Sequence, residues 1–121
     1  MAWTPPGRGE LVERIRIERR TAPIEDGYGN AEGEWATFVD SRRVRLLPVL
    51  GGEAVQADRL AGISAWIMDI PADTLVRQVT PDMRAVDIRD PERVWNIRSS
   101  LDLEGRNCWR TMTLEMGGAD G

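Results

Sequence analysis

Apolar side chains recur at every second position through most of this chain, the spacing that places successive residues on opposite faces of a β-strand. From Glu13 to Arg20, Ile15 and Ile17 fall on one face and Arg14, Arg16 and Glu18 on the other, as a strand with one buried and one solvated face requires. Trp35 to Val39 and Arg43 to Leu47 repeat the alternation. Asp40-Ser41 marks a bend or bulge inside one long second strand, which Pro48 ends by withholding a hydrogen-bond donor. Between these strands Ile24 to Glu34 contains Asp26-Gly-Tyr-Gly-Asn30, whose glycines and asparagine supply the positive φ angles of a long hairpin connection.

The pattern changes between Pro48 and Gly62. Gly51-Gly52 precede an alanine-rich stretch of good helix formers from Glu53 to Ala61, with Gly62 where a helix C-cap would stand. This reads as a loop carrying about two helical turns, too short to persist without support. Strand alternation returns from Ile63 to Ile70, with Ile63, Ala65 and Ile67 on one face and Trp66, Met68 and Ile70 on the other, so that both faces are apolar. Thr80-Pro81-Asp82 is a turn before Met83 to Arg89, and Asp90-Pro91-Glu92-Arg93 is a turn before the returning strand Val94 to Arg98. Glu104-Gly105-Arg106-Asn107 turns between Ser99–Leu103 and Cys108–Met116, where Cys108, Met112, Leu114 and Met116 share a face with Arg110.

About six short strands with one helical interruption predict a mainly β fold, a small antiparallel β-barrel or sandwich. Prolines and glycines fill residues 1–10, which are expected to form an extended arm; residues 11–116 form the domain and 117–121 a flexible tail. At 121 residues the chain is one domain. Its opening, MAWTPPGRGE, lacks the apolar run of a secretion signal, and its longest uncharged apolar stretch, Leu60 to Met68, is far short of a membrane span, so no membrane partner is expected.

Composition narrows the chemistry. All 16 cations are arginine, because the chain contains neither lysine nor histidine. That removes an imidazole base, Ser-His and Cys-His nucleophile pairs, imidazole metal ligands, Schiff bases and the P-loop lysine. Cys108 is the only cysteine, so no intrachain disulfide forms, and it is expected to be a buried structural thiol beside Trp109. Asp69 with Asp73 and Asp87 with Asp90 are candidate carboxylate pairs, but aspartates in loops ordinarily bond their own backbone, and turn roles are the better reading. No catalytic, cofactor-binding or metal site is expected.

The arginines of Arg14 to Arg20 and Arg42 to Arg45 admit three readings: a solvated strand face, a protein interface, or contact with DNA phosphates. Glu13 and Glu18 in the same segment, and the net charge of −4, count against the last. Five tryptophans are much bulk for a small barrel, and tryptophan is enriched at binding hot spots. Trp35, Trp95 and Trp109 lie within strands and are expected in the core. Trp3 in the arm, with no local core to enter, and Trp66 on a strand apolar on both sides are the interface candidates.

The order of these elements resembles the head-tail joining proteins of tailed bacteriophages, also called head-closure or stopper proteins. Arg14 to Arg20, Asp26 to Asn30, Gly33-Glu34-Trp35 and Val44-Arg45-Leu46 ahead of Gly51-Gly52-Glu53 carry the resemblance. Ile63 to Ile70, Thr80 to Arg84 and Val94 to Ile97 continue it, over residues 11–116. The resemblance implies a non-enzymatic neck component of a phage, prophage or phage-like gene transfer agent, assembled in the host bacterial cytoplasm. Its implied partners are further copies of itself in a ring, six-fold in expectation, a portal-adaptor protein, a tail terminator protein and the double-stranded DNA in the channel. It also places a mobile channel-gating segment between the second and third main strands, here Gly51, Gly52, Glu53, Val55, Gln56, Asp58 and Arg59. The subunit or partner interface is expected among Trp3, Arg14, Arg16, Tyr28, Arg43, Arg45 and Trp66. The competing reading is a small β-sandwich module that binds a ligand or carbohydrate.

Overall fold

A computed structural model describes residues 3–21 and 34–117. The hairpin connection around Asp26 to Asn30, with Tyr28, and the tail after Gly117 lie outside the described residues. Six antiparallel strands close into a barrel in the order β1-β2-β3-β6-β5-β4. They are β1 (Glu13–Arg20), β2 (Trp35–Pro48), β3 (Ser64–Pro71), β4 (Arg84–Asp87), β5 (Val94–Leu101) and β6 (Trp109–Met116). Closure comes from β1, which pairs with β2 on one side and β4 on the other. The barrel reading therefore holds over the sandwich.

Alternation explains the interior. Ile15, Ile17, Val39, Val44, Met68, Ile70, Trp95, Ile97, Met112 and Leu114 all point inward and are essentially without solvent contact. β2 is one strand with the extra residue that Asp40-Ser41 suggested: Ile15 pairs with Arg42 but Ile17 with Val39, so three residues of β2 oppose two of β1. β5 runs unbroken from Val94 to Leu101, joining segments that the sequence pattern divided at Arg98. The stretch before β4, to which that pattern assigned no element, holds a 3-10 turn at Val76–Gln78 that inserts Val76 and Val79 into the core.

The single helix, α1 (Glu53–Leu60), joins β2 to β3. Gly62, at φ +82°, follows it in the left-handed region. There the Gly62 N–H donates to the Arg59 carbonyl and the Ile63 N–H to the Asp58 carbonyl, at 3.0 and 2.7 Å, the two-bond closure that satisfies a helix's last carbonyls.

Four side chains depart from expectation. Cys108 is exposed rather than buried, because β6 begins one residue later and the cysteine belongs to the preceding turn, its thiol donating to the Arg106 carbonyl. Trp66 stands with Met68 and Ile70 on the inner face of β3, edge-on to Trp95 with ring centres 5.9 Å apart. Trp35 and Trp109 are half-buried and lie outside the core cluster; only Trp95 of the three is wholly enclosed.

Candidate functional site

The N-terminal arm does not project from the barrel. Ahead of the short 3-10 turn at Arg8–Glu10, which leads into β1, it lies over the outer faces of β2, β3 and β6. Beneath it is Asp69, the one carboxylate in an otherwise apolar strand, on the outer face of β3 because Met68 and Ile70 point inward. Its Oδ1 accepts hydrogen bonds from Trp3 Nε1 at 3.0 Å and Thr111 Oγ1 at 2.7 Å, and its Oδ2 accepts from Arg45 Nε at 2.9 Å and Nη2 at 2.6 Å. Arg45 also donates to Glu10 at 2.8 Å. Burial lowers the pKa of the Arg45 guanidinium, but its bonds to Glu10 and Asp69 outweigh that and raise it. The Arg45 bond and the Gly7 N–H hold the Glu10 carboxyl below its ordinary value. Trp3 meets Trp109 edge-on at 6.4 Å, and Pro6 is buried. The premise that Trp3 has no local core to enter therefore gives way.

Antiparallel pairing gathers the starts of β1, β3 and β5, the ends of β2, β4 and β6, and the helical loop at one end of the barrel. Arg93 closes the interior there. Its guanidinium sits 4.9 Å from the centre of the Trp95 ring and 5.7 Å from that of Trp66, while donating to Asp87 Oδ2 at 2.8 Å. Cation–π attraction and a charge-assisted bond thus cap the apolar core with a polar layer.

On the outer face of β1, Glu18 accepts from Arg16 Nε at 2.9 Å and from Arg84 Nε at 2.8 Å. Burial pushes the Glu18 carboxyl up, but the two arginine bonds outweigh it and hold the pKa below the ordinary range. Arg84 and Arg20 also lie over the Trp35 ring, at 4.2 and 4.6 Å from its centre. Nearer the helix-bearing end, Arg14, Arg43 and Arg89 line an open cleft with Gly9, Leu11 and Val12.

The helical loop is the most exposed segment of the domain. α1 buries no residue, Leu50 is 71% and Leu60 91% exposed, and Gly51 and Gly52 hold φ angles of +82° and +83° in open space. Of its candidate residues, only Arg59 anchors it, donating to the Val49 carbonyl at 3.0 Å.

The structure therefore divides the sequence candidates by place. Arg45 and Trp3 meet at Asp69, Arg16 belongs to the Glu18 pairing, Arg14 and Arg43 share the cleft, and Trp66 lies inside the barrel. The proposed carboxylate pairs do not meet as pairs. Asp73 is held by Arg42 and by the backbone N–H groups of Leu75 and Val76, and Asp90 accepts from the Glu92 N–H. Sequence reasoning missed Asp69 as the arm's anchor, although a lone aspartate in an apolar strand was the available signal. Among the described residues no three His, Cys, Asp or Glu side chains gather as a metal site would need, and no helix is long and apolar enough to cross a membrane.

Comparison with known proteins adds two findings. The family described as phage head completion protein matches residues 7–117. Among solved structures, a chain from the virion of a native gene transfer agent particle is similar in fold, with a TM-score of 0.56 and 14% identity over 84% of this chain and 90% of that one. A search of curated proteins gives no match.

Proposed function

This chain belongs to the phage head completion protein family, and from that premise we propose that copies of it form a ring in the neck of the particle, closing the DNA channel after packaging. It is a structural protein of the virion. In the finer reading the ring contains six copies, rests on the portal-adaptor protein, presents its opposite face to the tail terminator, and holds back the double-stranded DNA in its lumen. No catalytic step belongs to this role. The observation that carries the reading is the family match across nearly the whole described domain.

The helical loop supports a place for the gate. A segment that closes a channel must move without unfolding its scaffold, and α1 contributes no buried side chain to the barrel. Its two hinge glycines occupy left-handed backbone with nothing close by. Its ionic groups, Glu53, Asp58 and Arg59, sum to −1, which suits steric closure more than electrostatic capture. Replacing residues 52–61 by a short Gly-Ser linker tests this. Heads should assemble and fill, yet tailless heads should lose their DNA; heads that keep it would overturn the gate assignment.

A further inference from the structure

Three arginines on one flank of the barrel lack an anionic partner among the described residues. Arg14 and Arg43 are direct cross-strand neighbours between β1 and β2, both on the outer face because Ile15 and Val44 point inward. The Ile88 N–H donates to the Arg14 carbonyl at 3.1 Å, which brings Arg89 beside them in the same cleft. Like charges directly opposite one another destabilise a sheet. Four other strand arginines, Arg16, Arg45, Arg84 and Arg98, each pair with a carboxylate. The cleft also carries Val12, which is 60% exposed, so its occupant should combine negative charge with an apolar contact. Glu13 at the start of β1 and Asp90 and Glu92 in the turn after Arg89 limit the positive field around the cleft, which disfavours a continuous phosphate backbone more than a segment carrying a single carboxylate and an apolar side chain. An acidic protein segment fits better than DNA.

The chain displays such a segment. Glu53 and Asp58 of α1 form no ion pair among the described residues, and Leu50 and Leu60 beside them are largely exposed. A helix of eight residues needs tertiary support to persist, and its own barrel fully buries none of α1, leaving only Val55 half-buried. One surface therefore has cations and an exposed valine without a partner, and the other has anions and exposed leucines without one.

We propose that α1 of one copy docks in the Arg14–Arg43–Arg89 cleft of the next through the face that Glu53 and Leu60 share two helical turns apart, with Glu53 against the guanidiniums and Leu60 against Val12. This rests on the ring reading above and deepens it. The two patches are different surfaces at the same end of the barrel, so the contact is head-to-tail, the kind that generates rings when its rotation closes. It also couples the gate to assembly, because the segment that moves would be ordered by its neighbour.

The test uses particles from cells that co-express two variants, Val12→Cys and Leu60→Cys. Both carry Cys108→Ser, since Cys108 is itself exposed. Both new positions are solvent-facing, so neither change should disturb the barrel. Mild oxidation should give a disulfide-linked dimer in mixed particles and none in particles holding either variant alone. Adding Arg14→Glu and Arg43→Glu to the Val12→Cys chain should cut the yield roughly tenfold, and Glu53→Arg on the other chain should restore it. Several copies per particle without the mixed dimer would overturn the docking while leaving the ring intact. A single copy per particle would overturn both. Arg14→Gln with Arg43→Gln on the Val12→Cys chain that leave the cross-link yield unchanged would overturn the part assigned to the arginines.

Discussion

Asp69 accepts bonds from three side chains that lie far apart in sequence, Trp3, Arg45 and Thr111, and is 1% exposed. The arm is therefore part of the folded domain. Trp3→Ala removes a hydrogen bond to a charged acceptor and an edge contact with Trp109, together about 2–4 kcal/mol. Thermal unfolding should show a clearly lower Tm, with Trp3→Phe intermediate because it retains a ring; an unchanged Tm would mean that the arm does not hold the barrel. Glu18 gives a prediction in pH. Its pKa is lowered in the folded state from an ordinary value of 4.5, so its contribution to stability is complete above that value and is lost as pH falls through the depressed folded pKa. Denaturant unfolding of the wild type and Glu18→Gln should differ most at neutral pH and converge below pH 4.5; a gap independent of pH would contradict the pairing with Arg16 and Arg84. At this scale the sequence was only partly legible. Alternation identified Ile15, Ile17 and Trp95 as core, because strand periodicity alone decides which face is buried. It placed Cys108 inside because the strand was begun one residue early. Trp3 was invisible to any local pattern, since its partners come from β3 and β6.

The elements were more legible than the contacts between them. β1 was correct to the residue and the β2 bulge was foreseen, because a polar Asp-Ser step interrupts an alternating run. The helix and its terminating Gly62 followed from local propensity and capping chemistry, which need no knowledge of the fold. The 3-10 turn at Val76–Gln78 was missed because three residues carry too little periodicity to register. The apolar second face of β3 suggests a neighbouring chain; in the structure Ile67 is half-buried on that outer face, and the arm covers Asp69. Because α1 supplies nothing to the core, the Gly-Ser replacement of residues 52–61 should leave the barrel intact. Its unfolding free energy should stay within about 1 kcal/mol of the wild type, measured by chemical denaturation. A much larger loss would make the loop a structural brace and remove it as a gate.

At the scale of the molecule, barrel closure pairs much of the strand edges, and the surfaces left for assembly among the described residues are mainly side chains. Those identified here are small: an arginine cleft, one short helix and scattered exposed leucines. Stable interfaces ordinarily bury more, and the purified chain should therefore be a folded, mostly β monomer that forms rings only on its partners. Far-UV circular dichroism dominated by helix, or a stable ring in sedimentation of the isolated protein, would contradict this. Fold class was readable because it follows from strand count and turn spacing. The assembly was not, because its determinants are charges and apolar side chains whose partners belong to other chains. A closing ring in the neck is open to direct imaging of the particle. Averaged electron cryo-microscopy of the head-tail vertex should resolve a ring of six-strand barrels between portal adaptor and tail, with the helical loops turned toward the channel. Particles whose neck contains no such ring, or that carry this chain elsewhere on the capsid, would contradict it.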